Sequence, residues 1–243
     1  MATQSTKTTK QRPLYPRGIP SKFSADGILQ RFPGNTIICH LPANSPLQPG
    51  LNSVYASLGS HPILSKLIHL LPKDSWHMTV HGGIHGDKVT PGKRPPGFEG
   101  RSLVEVTEDF SQKLRQLGLE LEREGLAPPY KMKIRGFNGA KFFIGLEVEG
   151  ATAEEEKRIR LLRDRLADAL GLRRPNHDTY GFHITVAYLM RYIEGKNRKM
   201  LNALFEKHLP EVQLEFDLGA AEFCTYENMY AFVRLFYLGE SQN

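Results

Sequence analysis

Two related strand–helix–strand units, one in each half of a mixed α and β chain, are what the sequence predicts. Three observations predict them. Each half holds an apolar strand, a helical segment and a second strand in that order. The second strands carry matching pentapeptides, WHMTV at 76–80 and FHITV at 182–186, which lie 106 positions apart. The 243 residues are 40% hydrophobic and 24% charged, which is globular and excludes a disordered or collagen-like chain. This length allows one large domain or two small lobes.

Residues 36–41 (TIICHL) form a β-branched apolar run between a Pro-Gly turn and Pro42, so a buried strand is expected. Over 51–71, Val54, Leu58, Leu64, Leu67, Ile68 and Leu71 follow helical spacing, with Gly59 and Pro62 expected to split the helix. Residues 76–82 alternate as a strand. The stretch 83–100 is rich in Gly and Pro, carries Lys88, Lys93 and Arg94, and reads as a lid or binding loop. A Leu-spaced charged segment over 103–124 predicts a surface helix. Residues 130–136 and 141–148 predict a strand pair turning at Asn138-Gly139. Helix 154–170 is capped by Thr152, has acids in its first turn and stops at Gly171. A strand at 181–189, a short helix at 199–208, and strands at 212–218 and 229–238 complete the expectation.

The chain has 32 Lys and Arg against 26 Asp and Glu. Lys7, Lys10, Arg12, Arg17 and Lys22 all precede the first acid, Asp26, so the excess is mostly a tail. A charge this small does not announce a nucleic-acid surface. The tail is rich in Thr, Ser, Gln and Lys and broken by Pro13, Pro16 and Pro20. It is expected to be disordered over 1–33, ahead of a domain at 34–240 with lobes 34–125 and 126–240. Cys39 and Cys224 show no CxxC spacing and read as reduced core thiols of a cytoplasmic or nuclear protein. No run of 18 apolar residues exists and no apolar leader is expected, so no membrane partner is expected.

Side chains alternate along a strand, so His77 and Thr79 share one face, as do His183 and Thr185. If the two units pack side by side in one curved sheet, both pairs line one cleft. Cleaving a phosphodiester needs a base for the attacking oxygen and an acid for the leaving oxygen. Imidazole, with an ordinary pKa of about 6.5, serves either role near neutrality. The threonine hydroxyls can hydrogen-bond non-bridging phosphate oxygens as charge builds. This chemistry needs no metal and no cofactor. His81, two residues past Thr79, is expected to face the same cleft. Tyr180, Phe142 or Trp76 can stack on a base, and Lys133 and Arg135 share a strand face. His40 ends the first strand and is given no role.

The pair HMTV at 77–80 and HITV at 183–186 resembles the two HxT/S motifs of the 2H phosphoesterase superfamily. That group includes the RNA 2′,3′-cyclic phosphodiesterases once called 2′-5′ RNA ligases. The context GNTIICHLP at 34–42 and YGFHITVAYL at 180–189 is similar to an uncharacterised branch seen in fungi among others. The resemblance extends over 34–238. It implies a bilobal α+β fold with a central cleft, His77 and His183 as the acid/base pair, and Thr79 and Thr185 as phosphate ligands. His81 and Tyr180 are supporting substrate-binding candidates. The loop at 83–100 departs from the compact family pattern.

The expected function is therefore a metal-independent phosphodiesterase acting on 2′,3′-cyclic phosphates of nucleotides or RNA ends, as a monomer. The alternative is a non-catalytic module that binds a nucleotide or RNA end in the same cleft. A metal site from His77, His81 and His85 would need a helix, which Thr79, Val80, Gly82 and Gly83 disfavour. On a strand, His77 and His81 stand about 13 Å apart, too far to share an ion. No GxSxG elbow and no GxxxxGK[ST] loop is present, so neither a serine hydrolase nor an ATP-driven ligase is supported.

Overall fold

The computed structural model describes residues 12–86, 97–139 and 142–239. In chain order its elements are β1 (Gly34–His40), α1 (Gln48–Ser60), β2 (Ile68–Leu70), β3 (His77–His85), α2 (Leu103–Gly118), β4 (Tyr130–Asn138), β5 (Phe143–Gly150), α3 (Ala153–Leu170), β6 (Phe182–Leu189), α4 (Gly195–Val212), β7 (Glu215–Leu218), β8 (Glu222–Asn228) and β9 (Ala231–Tyr237). The sheet runs β7-β4-β5-β6-β3-β1-β8-β9, with β2 beside β6. All its pairings are antiparallel. The expected units are β1–α1–β3 and β5–α3–β6. Each joins antiparallel neighbours through its helix, and the two meet where Met78 of β3 pairs with Ile184 of β6.

Local signals set most boundaries. The Ser102 side chain accepts from the Glu105 N–H while Glu105 reaches back to the Ser102 N–H, a reciprocal cap that starts α2. Thr152 caps α3, and Gly171, at φ 61°, ends it in the left-handed region that glycine adopts freely. The 51–71 segment splits at Ser60 as expected, but its second half is a 3₁₀ turn at Leu64–Lys66 followed by β2. An open stretch of β6 edge decides this: Ile68 and Leu70 pair with Leu189 and Ala187. Helix α4 runs past both expected ends, its last turn tied down by His208, which bonds Glu211 at 3.0 Å and Ser57 of α1 at 2.9 Å.

One face of the sheet and the four helices share a core that includes Ile37, Met78, Val80, Leu146, Ile184 and Val186 with Leu58, Phe110, Leu162 and Leu201. The other face carries a strap. Residues 12–33, expected within the disordered tail, cross it, and Phe23 is fully buried with Leu71, Met190 and Met229. The composition argument misses this because the strap has no periodicity of its own. It is ordered by docking: Phe32 N–H bonds Glu227 O at 2.8 Å, Gly86 N–H bonds Pro33 O at 2.8 Å, and the Tyr192 hydroxyl bonds Tyr15 O at 2.8 Å. Residues 1–11 and most of the expected loop, 87–96, lie outside the described residues.

The lobe boundary at 125/126 also needs correction. Strands β8 and β9, from the end of the chain, pair through β1 and complete the first half of the sheet. Strand β8 was not expected at all, although Phe223, Thr225 and Tyr226 are good strand formers. Among the described residues, no helix is long and apolar enough to cross a membrane.

Candidate active site

The central strands place both motifs on the helix-free face. Met78, Val80, Ile184 and Val186 are buried toward the helices, while His77, Thr79, His183 and Thr185 are partly buried on the opposite side. Extending the Met78–Ile184 register by one residue each way sets His77 opposite Thr185 and Thr79 opposite His183. Each histidine thus meets the other motif's threonine across the seam.

Both imidazoles are held by the same device. His77 Nδ1–H donates to the Ser75 carbonyl at 2.7 Å, and His183 Nδ1–H donates to the Gly181 carbonyl at 2.9 Å. A carbonyl can only accept, so each ring in its neutral form carries its proton on Nδ1 and presents a lone pair at Nε2. Neither Nε2 takes a partner among the described residues. Rings fix their planes: Phe143 stacks on His183 at 4.6 Å, and Phe232 packs on His77 at 4.2 Å. Burial pushes His77 down to about 3, helped by the charges of His40, His183 and Lys22 and opposed by the Ser75 carbonyl. Burial also lowers His183, opposed by the Gly181 carbonyl and helped by Lys22.

Tyr180 belongs to this site. Its ring lies 5.8 Å from that of His183, and the Arg163 guanidinium sits 4.1 Å from its ring centre. His81 does not belong to it. Ile38 and Ile37 of β1 face Thr79 and His81, which leaves Val80 as an extra residue, a β-bulge that reverses the alternation beyond it. His81 is therefore turned to the helix side, 1% exposed, with its ring 6.0 Å from His177 and its Nδ1 unpartnered. Burial, then Arg163, push it down to about 3. Strand β6 has the same bulge at Val186: Gly145 and Ile144 face Thr185 and Ala187. There it buries Ala187 and brings Tyr188 to the motif face. Both freed carbonyls are satisfied: Arg163 donates to Val80 O at 2.5 Å and the Leu71 N–H to Val186 O at 2.9 Å.

Sequence reasoning gave His40 no role, yet it stands opposite His77 with the two rings 6.2 Å apart. Its Nδ1–H donates to Glu222 at 2.9 Å, and Arg234 approaches the same carboxylate at 3.4 Å. Despite burial, which opposes it, His40 holds the Glu222 carboxyl below the usual range. Because Glu222 sits on the unexpected β8, only recognising that strand would have found this pair. Lys22, from the strap, was likewise missed. Trp76 is a core residue, 1% exposed, and Lys133 and Arg135 pair with Glu149 and Glu147 of β5.

His77, His81 and His85 do not converge: His81 faces the helices and His85 stacks on Phe32 at 4.9 Å. Among the described residues, two other groups bring three ligand atoms within 4.8 Å, His40 with Glu222 and Cys224, and Asp164 with His177 and Asp178. Arg234 already approaches the first, and Arg173 bridges both aspartates of the second.

An antiparallel sheet with a histidine–threonine pair on each of its two central strands defines a class of protein. Residues 22–142 match the family model described as 2H-phosphodiest, a domain of unknown function (DUF1868), a label of the 2H phosphoesterase superfamily. The matched segment holds His77 and Thr79, while His183 and Thr185 lie beyond it. The chain is similar to a conserved protein of unknown function from Agrobacterium tumefaciens, with 27% identity and a TM-score of 0.80 over 95% of this chain and 96% of that one. It is also similar, at a TM-score of 0.47, to E. coli LigT complexed with NADP+ (12% identity, 87% of this chain and 99% of that one). TT0787 of Thermus thermophilus gives the same TM-score (14% identity, 88% and 100%). No curated protein matches the sequence.

Proposed function

We propose that the chain is a metal-independent phosphodiesterase that opens 2′,3′-cyclic phosphates of nucleotides or RNA ends, with His77 and His183 as its acid/base pair. The match to the 2H-phosphodiest family model supports the phosphodiesterase class. The observation that carries the reading is the matched pair of clamps, which give two imidazoles on adjacent strands the same tautomer and leave both Nε2 atoms unpartnered among the described residues.

In the reaction, one Nε2 takes a proton from water as the water oxygen bonds to phosphorus. The other imidazolium gives its proton to the ribose oxygen as the phosphorus–oxygen ester bond breaks. Thr79 and Thr185 donate to the non-bridging oxygens as negative charge grows. The surroundings favour one division of roles. His40 and Lys22 disfavour a proton on His77, which burial pushes down to about 3, while Lys22 acts also on His183 and repulsion between the two imidazoles acts on both. This supports His183 as the acid and His77 as the base.

Both pKa values are lowered, and the sign gives a pH profile. The free enzyme works when His183 is protonated, below a pKa lowered from 6.5, and when His77 is neutral, above about 3. The kcat/KM for 2′,3′-cyclic AMP is expected to peak on the acid side of pH 6.5 and fall on either side. A maximum at pH 8 contradicts the assignment.

Chromatographic product analysis with 2′,3′-cyclic AMP and a cyclic-phosphate-ended oligoribonucleotide, in excess EDTA, tests the reaction itself. Wild type is expected to yield a monophosphate, and His77→Ala or His183→Ala each to lose at least about 100-fold in rate. Wild-type turnover in either variant overturns the pair. Binding without cleavage favours a recognition module, and loss of activity in EDTA favours a metal site.

A further inference from the structure

The strap carries a lysine into this site. Lys22 precedes Phe23, whose ring packs 4.4 Å from His69, 5.5 Å from Tyr188 and 6.4 Å from Tyr230. Its own carbonyl accepts from the Gln30 N–H at 2.9 Å, so the backbone is fixed from both sides. The ammonium donates to the Tyr188 hydroxyl at 2.7 Å and lies 4.6 Å from the Tyr188 ring centre and 5.4 Å from that of Phe32. Tyr188 is the residue that the β6 bulge turns to the motif face, so the lysine lies on the side of His77 and His183, and its charge acts on both.

The company of this ammonium is unusual. It contacts Tyr188 of β6 and Phe32 of the strap, and its charge acts on His77 of β3, His183 of β6 and Arg17 of the strap. No carboxylate among the described residues pairs with it. Burial, then the Arg17 charge, push it down to about 8, which leaves it mostly protonated at neutral pH. A largely buried cation with no carboxylate partner carries a desolvation cost that one hydroxyl and two ring faces offset in part and a bound anion would offset further.

Resting on the reading above, we propose that Lys22 is a substrate-binding residue, whose ammonium takes a non-bridging oxygen of the phosphate held between His77 and His183. The N-terminal strap is thus part of the site.

The test uses the full chain, with inorganic phosphate as the first probe, its binding read from the imidazole NMR signals of His77 and His183. Lys22→Met keeps the apolar stem and removes the charge. It is expected to weaken phosphate at least about 10-fold, the scale of a charge-assisted hydrogen bond. It also raises both histidine pKa values and, because it relieves an unpaired buried charge, does not lower the temperature of thermal unfolding. Lys22→Arg is expected to bind within about threefold of wild type. If Lys22→Met does not fold, Lys22→Gln is read in its place. Wild-type phosphate affinity in the neutral variant, failure of a folded arginine variant to bind, or no phosphate binding by wild type overturns the proposal. Turnover of 2′,3′-cyclic AMP is measured alongside. Loss of phosphate binding in a protein that never cleaves leaves Lys22 assigned and the hydrolase reading wrong, and unaltered phosphate binding in an active Lys22→Met enzyme means the reverse.

Discussion

His77 and His81 stand four residues apart on one strand and end in opposite surroundings, one beside the cross-strand Thr185 and the other against α3. Both are pushed down to about 3 by burial. The folded chain therefore declines protons that the unfolded chain takes below about 6.5, so stability falls as pH drops from there toward 3. Each such group contributes about 1.4 kcal/mol per pH unit in that window. Urea unfolding at pH 6, 5 and 4 is expected to show a shallower acid loss in His81→Gln, by about one proton's slope. An unchanged slope means that His81 titrates normally. The sequence carried the identity of the two HxT pairs because matched flanks, Trp76 and Val80 against Phe182 and Val186, mark equivalent places. It could not place His81, because parity along a strand holds only until a bulge. His40 was visible as a residue, but its role depends on Glu222, 182 positions away.

At the scale of elements, the matched bulges at Val80 and Val186 place the site. Each puts an extra residue directly after the threonine, and each has its freed carbonyl taken by a donor from outside its strand pair. Strand β5 fits against the second bulge only because residue 145 lacks a side chain: a Cβ there would lie 2.1 Å from the Ile184 carbonyl oxygen. Gly145→Ala is expected to lower stability by about 1–3 kcal/mol and to reduce turnover by disturbing Thr185 opposite. A denaturant midpoint equal to wild type refutes this. Capped, amphipathic α3 and the alternating central strands were legible because their signals are local. Strand β2 and the ends of α4 were not, since a neighbouring edge and a tertiary contact decide them.

For the whole molecule, the chain folds back on itself twice. Its end supplies β8 and β9 to the half of the sheet that its beginning starts, and its first described residues cross the face that its middle builds. Neither lobe is a separable piece of sequence, so one cooperative unfolding transition is expected. Phe23→Ala, emptying the strap's fully buried anchor, is expected to cost about 3–5 kcal/mol. Equilibrium unfolding measures it, and a loss below 1 kcal/mol means that the strap is only loosely docked. None of this was legible, because a Pro- and Gly-broken strap gains its order from the surface it covers. The clamped histidines are equivalent under an approximate twofold rotation, but their frames are not. His40 and Phe232 attend only His77, and Tyr180 and Phe143 only His183. Turning a substrate end for end would exchange the imidazoles without exchanging those frames. A cyclic phosphate has two ester oxygens, and under the proposed reaction a handed site of this kind is expected to release one of them, giving a single regioisomer of the monophosphate.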